Sequence, residues 1–209
     1  MARRGRGAAG RPPAHATLDT VTTPETYAGT PDEQPFSTRA VLEIVQALAL
    51  AVVISVVLNL FVVQVTEVRQ KSMEVTLLQG DRVLVSKVDY RLGSPQRGDI
   101  VVFNPPVDTA IPYVKRVIAL AGETVDLRDG KVLVNGRVVD FPEAVGASLA
   151  QAPRITYPFK VPPGNVWTMG DNRLASSDSR SFGPVPVESI IGKVTVRFWP
   201  LDRFRGFAW

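Results

Sequence analysis

The chain contains one uncharged apolar run that is long enough to cross a membrane. No Asp, Glu, Lys or Arg occurs from Ile44 to Thr66, where Val, Leu, Ala and Ile dominate. A helix needs roughly 20 apolar residues to span the hydrocarbon core of a bilayer. The sequence therefore predicts a transmembrane helix over Ala40–Val65. A buried core helix is one alternative; a cleaved secretory signal is the other, but its apolar region has only about 7–15 residues.

The segment before this helix, residues 1–39, is predicted to be a disordered, basic cytoplasmic tail. It is rich in Gly, Pro, Thr, Ala and Arg and has almost no large apolar side chains that burial could stabilise. The arginines ahead of the span are Arg3, Arg4, Arg6, Arg11 and Arg39. They favour a cytoplasmic amino terminus by the positive-inside rule. Acidic residues in the same segment and the lack of interleaved aromatics argue against nucleic-acid binding.

Residues 66–209 have the pattern of a mainly β domain. Short apolar or alternating runs, separated by Gly- and Pro-rich turns, predict an antiparallel sandwich or barrel. The predicted strands are Arg82–Val88, Ile100–Asn104, Tyr113–Leu120, Thr124–Leu127, Lys131–Val139, Asn165–Met169 and Ile190–Trp199. Within Lys131–Val139, Asn135-Gly136 predicts a tight hairpin turn with positive backbone angles.

Two residue counts limit the chemistry. The chain has no cysteine, which excludes disulfides, thiolate metal sites and a cysteine nucleophile. Its one histidine, His15, lies in the leader, so a Ser-His-Asp triad has no base in the folded part. We therefore expect neither a metal nor a cofactor.

A serine hydroxyl, Ser72, follows the apolar run and is a candidate nucleophile. Its base would have to be a lysine, and that lysine would have to be neutral at working pH. An unperturbed lysine, with a pKa of about 10.4, is almost fully charged there. Desolvation lowers the pKa of an amine, so the base should lie on an apolar strand face.

Strand alternation ranks the lysines. It places Lys115 on one face with Val117 and Ala119, and it places Lys87 on one face with Val83 and Val85. By the same alternation Lys193 shares its face with Thr195 and Arg197, which predicts solvent exposure. Lys71, next to the serine, is predicted to project to the opposite side if that segment is extended. Spacing alone leaves both Lys115 and Lys87 as candidates.

Several motifs occur in an order that resembles a known family. They are Ser72-Met73 with Thr76-Leu77, Gly80–Lys87, Arg97–Phe103, Tyr113–Val117, Gly170–Arg173, and Ser176 with Asp178–Arg180 and Phe182–Pro184. Together they are similar to bacterial type I signal peptidases, the membrane-bound Ser/Lys endopeptidases that remove signal peptides from exported proteins. The resemblance runs from the span to the carboxyl end.

This resemblance implies a role for individual residues. Ser72 is the implied nucleophile and Lys115 the implied base; Ser72 through its backbone amide and Gln70 through its side chain are the implied oxyanion donors. Ser176 is implied to orient the lysine amine. Asp178, Arg180, Arg116 and Asp171 are implied supporting charges, although each is also compatible with a surface salt bridge worth about 0–1 kcal/mol. The implied substrate-binding residues are Val68, Met73, Leu77, Tyr113 and Val114, with ordinary core positions as their alternative.

The resemblance also implies partners and location. The expected partners are the signal peptides of exported preproteins, the phospholipid membrane and the secretion translocon. The expected location is the plasma membrane, as a single-pass protein with a cytoplasmic amino terminus and an extracytoplasmic catalytic domain at 66–209. The aromatic and basic tail, with Phe204, Phe207 and Trp209, is predicted to rest on the membrane, or else to be a final core strand with a frayed end.

The chain departs from the family pattern at a few positions. Val75 stands where the family often has proline, Gln70-Lys71 replaces a glycine-containing pair, and Leu174 replaces a polar residue. These departures motivate the alternative of a catalytically weak or silent, membrane-anchored peptide-binding homologue. A self-cleaving repressor is a less suitable alternative, because the leader offers no DNA-binding domain.

Overall fold

A computed structural model describes residues 38–107 and 111–207. The tail predicted to be disordered, up to residue 37, and Trp209 lie outside the described residues. The chain divides into two compact units, Met1–Ile44 and Val45–Trp209, and this division falls inside the first helix. All residues of the predicted site belong to the second unit.

The apolar run forms the helix α1 (Thr38–Phe61), which is long and apolar enough to cross a membrane. The large apolar side chains described along it are about half exposed, as on a helix with no protein packed around it. The helix ends at Phe61, four residues before the predicted Val65. The reason lies in Val63–Glu67, where β-branched residues alternate with polar ones and pair as a strand instead.

The remaining elements are mostly short strands. The strands are β1 (Val63–Glu67), β2 (Arg82–Ser86), β3 (Ile100–Phe103), β4 (Tyr113–Ala119), β5 (Thr124–Arg128), β6 (Lys131–Val134), β7 (Arg137–Val138), β8 (Phe159–Lys160), β9 (Asn165–Met169), β10 (Val185–Pro186), β11 (Ile190–Trp199) and β12 (Arg205–Gly206). The short helices are α2 (Asp89–Leu92) and α3 (Ser179–Phe182), and single 3-10 turns occur at Lys71–Met73, Val187–Ser189 and Leu201–Arg203.

The strands form two antiparallel sheets, which confirms the predicted mainly β fold. The larger sheet has the order β1-β2-β11-β3-β4-β9-β10, with β12 paired to β11, and the smaller has the order β7-β6-β5-β8. The predicted hairpin turn is present, because Asn135 and Gly136 have φ values of 52° and 76°. Strand β1 is an edge of the larger sheet in the described part of the chain, so one side of its backbone is open to a further strand.

Three apolar clusters form the interior. The one beneath Ser72 joins Val68, Met73 and Leu77 to the inward faces of β2 and β11. Because its members are nearly free of solvent contact, it fixes the segment that follows β1 against the sheet. The hydrophobic effect, about 25 cal/mol per Å² of apolar surface, stabilises this arrangement.

Strand β11 has charged side chains that are partly or fully buried where alternation predicts a solvated face. The side chain of Lys193 is 15% exposed, and its Nζ lies 2.7 Å from Asp99 Oδ1. Arg197 is also buried and donates to the carbonyl oxygen of Thr76 at 2.8 Å. The prediction for Lys193 was wrong because β11 lies between β2 and β3, and carboxylates from distant segments pair with its cations.

The tail is partly core. Phe207 is 2% exposed in the cluster beneath Ser72, and its N–H donates to Thr195 O at 2.7 Å. This corrects the prediction that Phe207 rests on the membrane, because β12 folds back onto β11 and turns this ring inward. Phe204, in contrast, is 64% exposed.

These two phenylalanines provide a matched test of the fold. Phe207→Ala is expected to lower the free energy of unfolding by about 3–5 kcal/mol, since it removes a buried ring and leaves a cavity. Phe204→Ala should change it by less than about 0.5 kcal/mol. Denaturant titration of the full chain in detergent measures both values. Equal effects of the two substitutions would contradict the buried position of Phe207.

Candidate active site

The structure brings Ser72 and Lys115 into direct contact. Ser72 lies on the 3-10 turn that follows β1, and Lys115 is the third residue of β4. A hydrogen bond of 2.6 Å joins Lys115 Nζ to Ser72 Oγ. The lysine is 0% exposed and the serine 5% exposed. The two side chains therefore form a polar contact that is largely removed from solvent.

Burial changes the acidity of this lysine. Desolvation lowers the pKa of Lys115 from 10.5 to about 8; the carboxylate of Asp178 opposes this change, and the guanidinium of Arg180 adds to it. The amine also lies 4.8 Å from the centre of the Tyr113 ring. The neutral fraction of Lys115 near physiological pH is thus much larger than that of a solvated lysine, as a base requires.

The other candidate lysines are placed differently. Lys87 follows the last residue of β2 and is only half-buried, although Val83 and Val85 on that strand are buried as predicted. Lys71 precedes the nucleophile and is exposed. Of these three lysines, only Lys115 has its amine at the Ser72 hydroxyl.

An ion pair lies behind the site. Arg180 Nε and Nη2 donate to the two carboxylate oxygens of Asp178, each at 2.8 Å. The same carboxylate accepts from the N–H of Gly170 at 3.0 Å. Both charged side chains are at most 1% exposed, so they are not a surface salt bridge. The pair fixes α3 to the end of β9.

A second buried pair ties the serine segment to the sheet. Arg116 Nε and Nη2 donate to Asp171 Oδ1 and Oδ2 at 2.9 and 2.7 Å, and both side chains are 0% exposed. The hydroxyl of Thr76, four residues after Ser72, also donates to Asp171. Breaking a pair of this kind on one side costs about 3–5 kcal/mol.

Ser176 does not make the predicted contact with the lysine amine. Its Oγ is buried and has no hydrogen-bond partner among the described residues. The amine instead bonds to Ser72, and the Ser176 hydroxyl lies against Gly170. A Cβ at residue 170 would be 2.3 Å from Ser176 Oγ and 2.4 Å from Ser72 O. Only glycine leaves room for both groups.

Two clefts meet at Ser72. The first cleft, of about 290 Å³, runs along β1, and its lining residues are Gln64, Val65, Thr66, Glu67, Val68, Arg69, Gln70, Ser72, Met73, Ile111, Pro112 and Val114. The second cleft is lined by Gln70, Lys71, Ser72, Tyr113, Ala175 and Ser177. Gln70 and Ser72 belong to both clefts.

The predicted substrate-binding residues separate into three groups. Val68, Met73 and Val114 line the first cleft, whereas Tyr113 lines the second. Leu77 is 0% exposed in the core cluster beneath Ser72 and lines neither cleft. This position supports the alternative interpretation of Leu77 as an ordinary core residue.

Asn172 contributes to the site, and sequence reasoning missed it. Its N–H donates to Ser72 O at 3.0 Å, and its side-chain amide donates to Lys71 O at 3.4 Å. The N–H of Glu74 also donates to Lys71 O. In a trans peptide the N–H points opposite to the C=O, so these bonds fix the direction of the Ser72 N–H. The only signal was its place beside Asp171.

The arrangement is suited to acyl transfer. It combines a hydroxyl, an amine of lowered pKa and a fixed backbone N–H. Among residues 38–107 and 111–207 there is no group of three or more His, Cys, Asp or Glu side chains that could hold a metal ion.

A family model and sequence relatives match most of this chain. The family described as "Signal peptidase, peptidase S26" matches residues 41–199. The chain is 36% identical over 193 residues to signal peptidase I of Leptolyngbya laminosa, covering 87% of this chain and 91% of that protein. It is 34% identical over 181 residues to signal peptidase IB of Staphylococcus aureus, covering 80% and 94%. A crystal structure of a signal peptidase I from Enterococcus faecalis is 34% identical and covers 49% of this chain and 97% of that chain, with a TM-score of 0.41.

The close approach at Gly170 can be tested directly. Gly170→Ala is expected to lower peptidase activity at least about 100-fold, since its Cβ must displace the backbone of Ser72 or the Ser176 hydroxyl. Gly206→Ala is the matched control, because no atom lies within 4 Å of its added Cβ. Turnover of a signal-peptide substrate by both folded variants is the measurement. Activity near wild type in Gly170→Ala would contradict this geometry.

Proposed function

The chain belongs to the signal peptidase family, peptidase S26, and we propose that Ser72 is its nucleophile and Lys115 its base. A serine endopeptidase that removes signal peptides needs both groups. The observation that carries this proposal is the 2.6 Å contact between a buried amine and a buried hydroxyl. A charged amine loses its hydration in this position, which favours the neutral form that accepts a proton.

The proposed reaction has two halves. Neutral Lys115 takes the proton of Ser72 while Oγ attacks the carbonyl carbon of the scissile peptide bond. The protonated amine then gives this proton to the leaving nitrogen, which releases the mature protein and leaves an acyl-enzyme on Ser72. A water molecule, deprotonated by the same amine, hydrolyses the ester and restores the hydroxyl.

The negative oxygen formed in each half needs aimed donors. The Ser72 N–H is the proposed first donor, because the bonds to Lys71 O fix its direction. The side-chain amide of Gln70 is the proposed second donor, since Gln70 lines both clefts beside the nucleophile. Removing one such donor typically lowers kcat by about 10²–10³-fold.

The proposed site for the signal peptide is the first cleft. An extended peptide can pair with the open edge of β1, and backbone hydrogen bonds then provide affinity for many different sequences. Val68, Met73 and Val114 surround the cleft near Ser72. These apolar walls disfavour charged side chains just before the cut, and the proposed preference for small ones there follows from the family resemblance.

The proposed topology places the amino terminus in the cytoplasm and the catalytic domain outside it. The helix α1 fits a single-pass membrane anchor. The arginines of the leader support the orientation, and preproteins emerge on the outer side, so functional association with the translocon is part of the proposal. Trp199, Leu201 and Phe204 are exposed apolar residues of the tail and are the proposed membrane-contacting side chains.

The alternative of a silent homologue has less support. It was motivated by Val75 and Gln70, but Val75 is 60% exposed and lines neither cleft. Leu174 is likewise exposed. Neither departure interrupts the bond between Ser72 and Lys115.

The base assignment predicts a pH profile. Since Lys115 must be neutral and its pKa is about 8, kcat/KM should rise nearly tenfold per pH unit below 8 and level off above it. Lys115→Ala should lower kcat/KM by about 10²–10⁴-fold, and Ser72→Ala should abolish cleavage. Lys87→Ala is the matched control and should keep both the rate and the profile. A flat profile between pH 6 and 9 would reject the assignment.

The proposed topology is testable because the natural chain has no cysteine. The substitution Arg137→Cys introduces a single cysteine on the exposed strand β7. This cysteine should react with a membrane-impermeant maleimide that is added to intact cells. A cysteine at Ala8→Cys should react only after the cells are lysed. Labelling in the reverse order would overturn the orientation.

A further inference from the structure

The second cleft also reaches Ser72, and it has no role in the proposal above. It shares Gln70 and Ser72 with the first cleft. Its other lining residues, which belong to the second cleft only, are Lys71, Tyr113, Ala175 and Ser177. A peptide bond at the serine has a chain on both sides. A cleft that shares Ser72 with the first but is otherwise lined by different residues can therefore hold the part of the substrate that the first cleft does not.

The course of β1 indicates which part this is. The first cleft follows β1 from Gln64 to Val68, and β1 starts two residues after the last residue of the anchor helix. A signal peptide whose apolar segment lies in the membrane beside that helix would approach Ser72 along β1. The residues before the cut then fill the first cleft, and the first residues of the mature protein enter the second.

The charge of the second cleft is positive. Lys71 is the one charged residue among the six described residues that line it, and its side chain is exposed. No carboxylate in the described part of the chain forms an ion pair with it. Glu74, which ends the same 3-10 turn, lines neither cleft. Lys71 thus brings an exposed positive charge without an ion-pair partner to the cleft that would hold the leaving part of the substrate.

We infer that Lys71 makes the second cleft a subsite for an acidic side chain among the first three residues of the mature protein. This inference rests on the proposed function, since it needs cleavage at Ser72. An exposed pair of opposite charges changes kcat/KM by only about two- to five-fold, because water and salt screen it. The same ammonium disfavours a basic side chain at these positions.

The test uses one signal-peptide-derived substrate with alanines one and three residues before the cut. Glu, Gln or Lys is placed in turn at the first, second and third residue after the cut. The full chain in detergent should cleave the Glu peptide about two- to five-fold faster than the Gln peptide at one of these positions, and the Lys peptide more slowly still. The preference should weaken at high salt.

Variants of Lys71 give the inference its sharpest test. Lys71→Gln should remove the preference for Glu over Lys, and Lys71→Glu should reverse it. Arg69→Glu is the matched control. It makes the same change of charge as Lys71→Glu, two residues away, but Arg69 lines the first cleft. It should keep the preference at residues after the cut. Thermal unfolding checks that each variant is folded. If Lys71→Glu is not folded, Lys71→Gln alone tests whether the preference depends on the charge of Lys71.

The outcomes separate the two claims. In one outcome, cleavage of the Gln peptide requires Ser72, but the Glu and Lys peptides are cleaved at equal rates. This outcome would overturn the role of Lys71 and leave the proposed function standing. A preference that persists in Lys71→Gln, or that Arg69→Glu abolishes equally, would also overturn it. Failure to cleave any of the peptides would overturn the proposed function and this inference together.

Discussion

The burial of one amine governs the rest of this site. Lys115 has no exposed surface, and the loss of hydration lowers its pKa to about 8. The carboxylate of Asp178 stabilises the charged form, but Arg180 holds that carboxylate with two hydrogen bonds and offsets part of its field. The ion pair can therefore hold α3 and β9 in place without restoring the full basicity of the lysine.

A buried amine is useful only if the hydroxyl is held against it, and the register of two strands provides this. Arg116 of β4 lies opposite Met169 of β9. The base, Lys115, is the residue before Arg116. After Met169, Gly170 and Asn172 contact the backbone carbonyl of Ser72. Asp171, between them, binds both Arg116 and Thr76. A single strand pairing thus sets the positions of the base and the serine segment together.

The sequence predicted those features that depend on neighbouring residues. Alternation placed Lys115 among apolar neighbours, and Asn135-Gly136 identified a hairpin, because both signals are local. Spacing could not choose between Lys115 and Lys87; the family resemblance did. Alternation also failed for Lys193, which is partly buried because it pairs with Asp99 of a distant segment. The membrane prediction failed for Phe207, because β12 folds back onto β11 and the ring is buried. The clamp by Asn172 depends on tertiary contacts alone.

The order of elements also limits where the reaction can take place. Only Val62 separates α1 from β1, and five residues of β1 lead to the segment that carries the nucleophile. At roughly 3.3 Å per residue, β1 extends about 16 Å. With α1 in the bilayer, as proposed, Ser72 can lie only a short distance from the membrane surface. A substrate that reaches it must present its cleavage site within a few extended residues of its own apolar segment, which is the defining arrangement of a signal peptide.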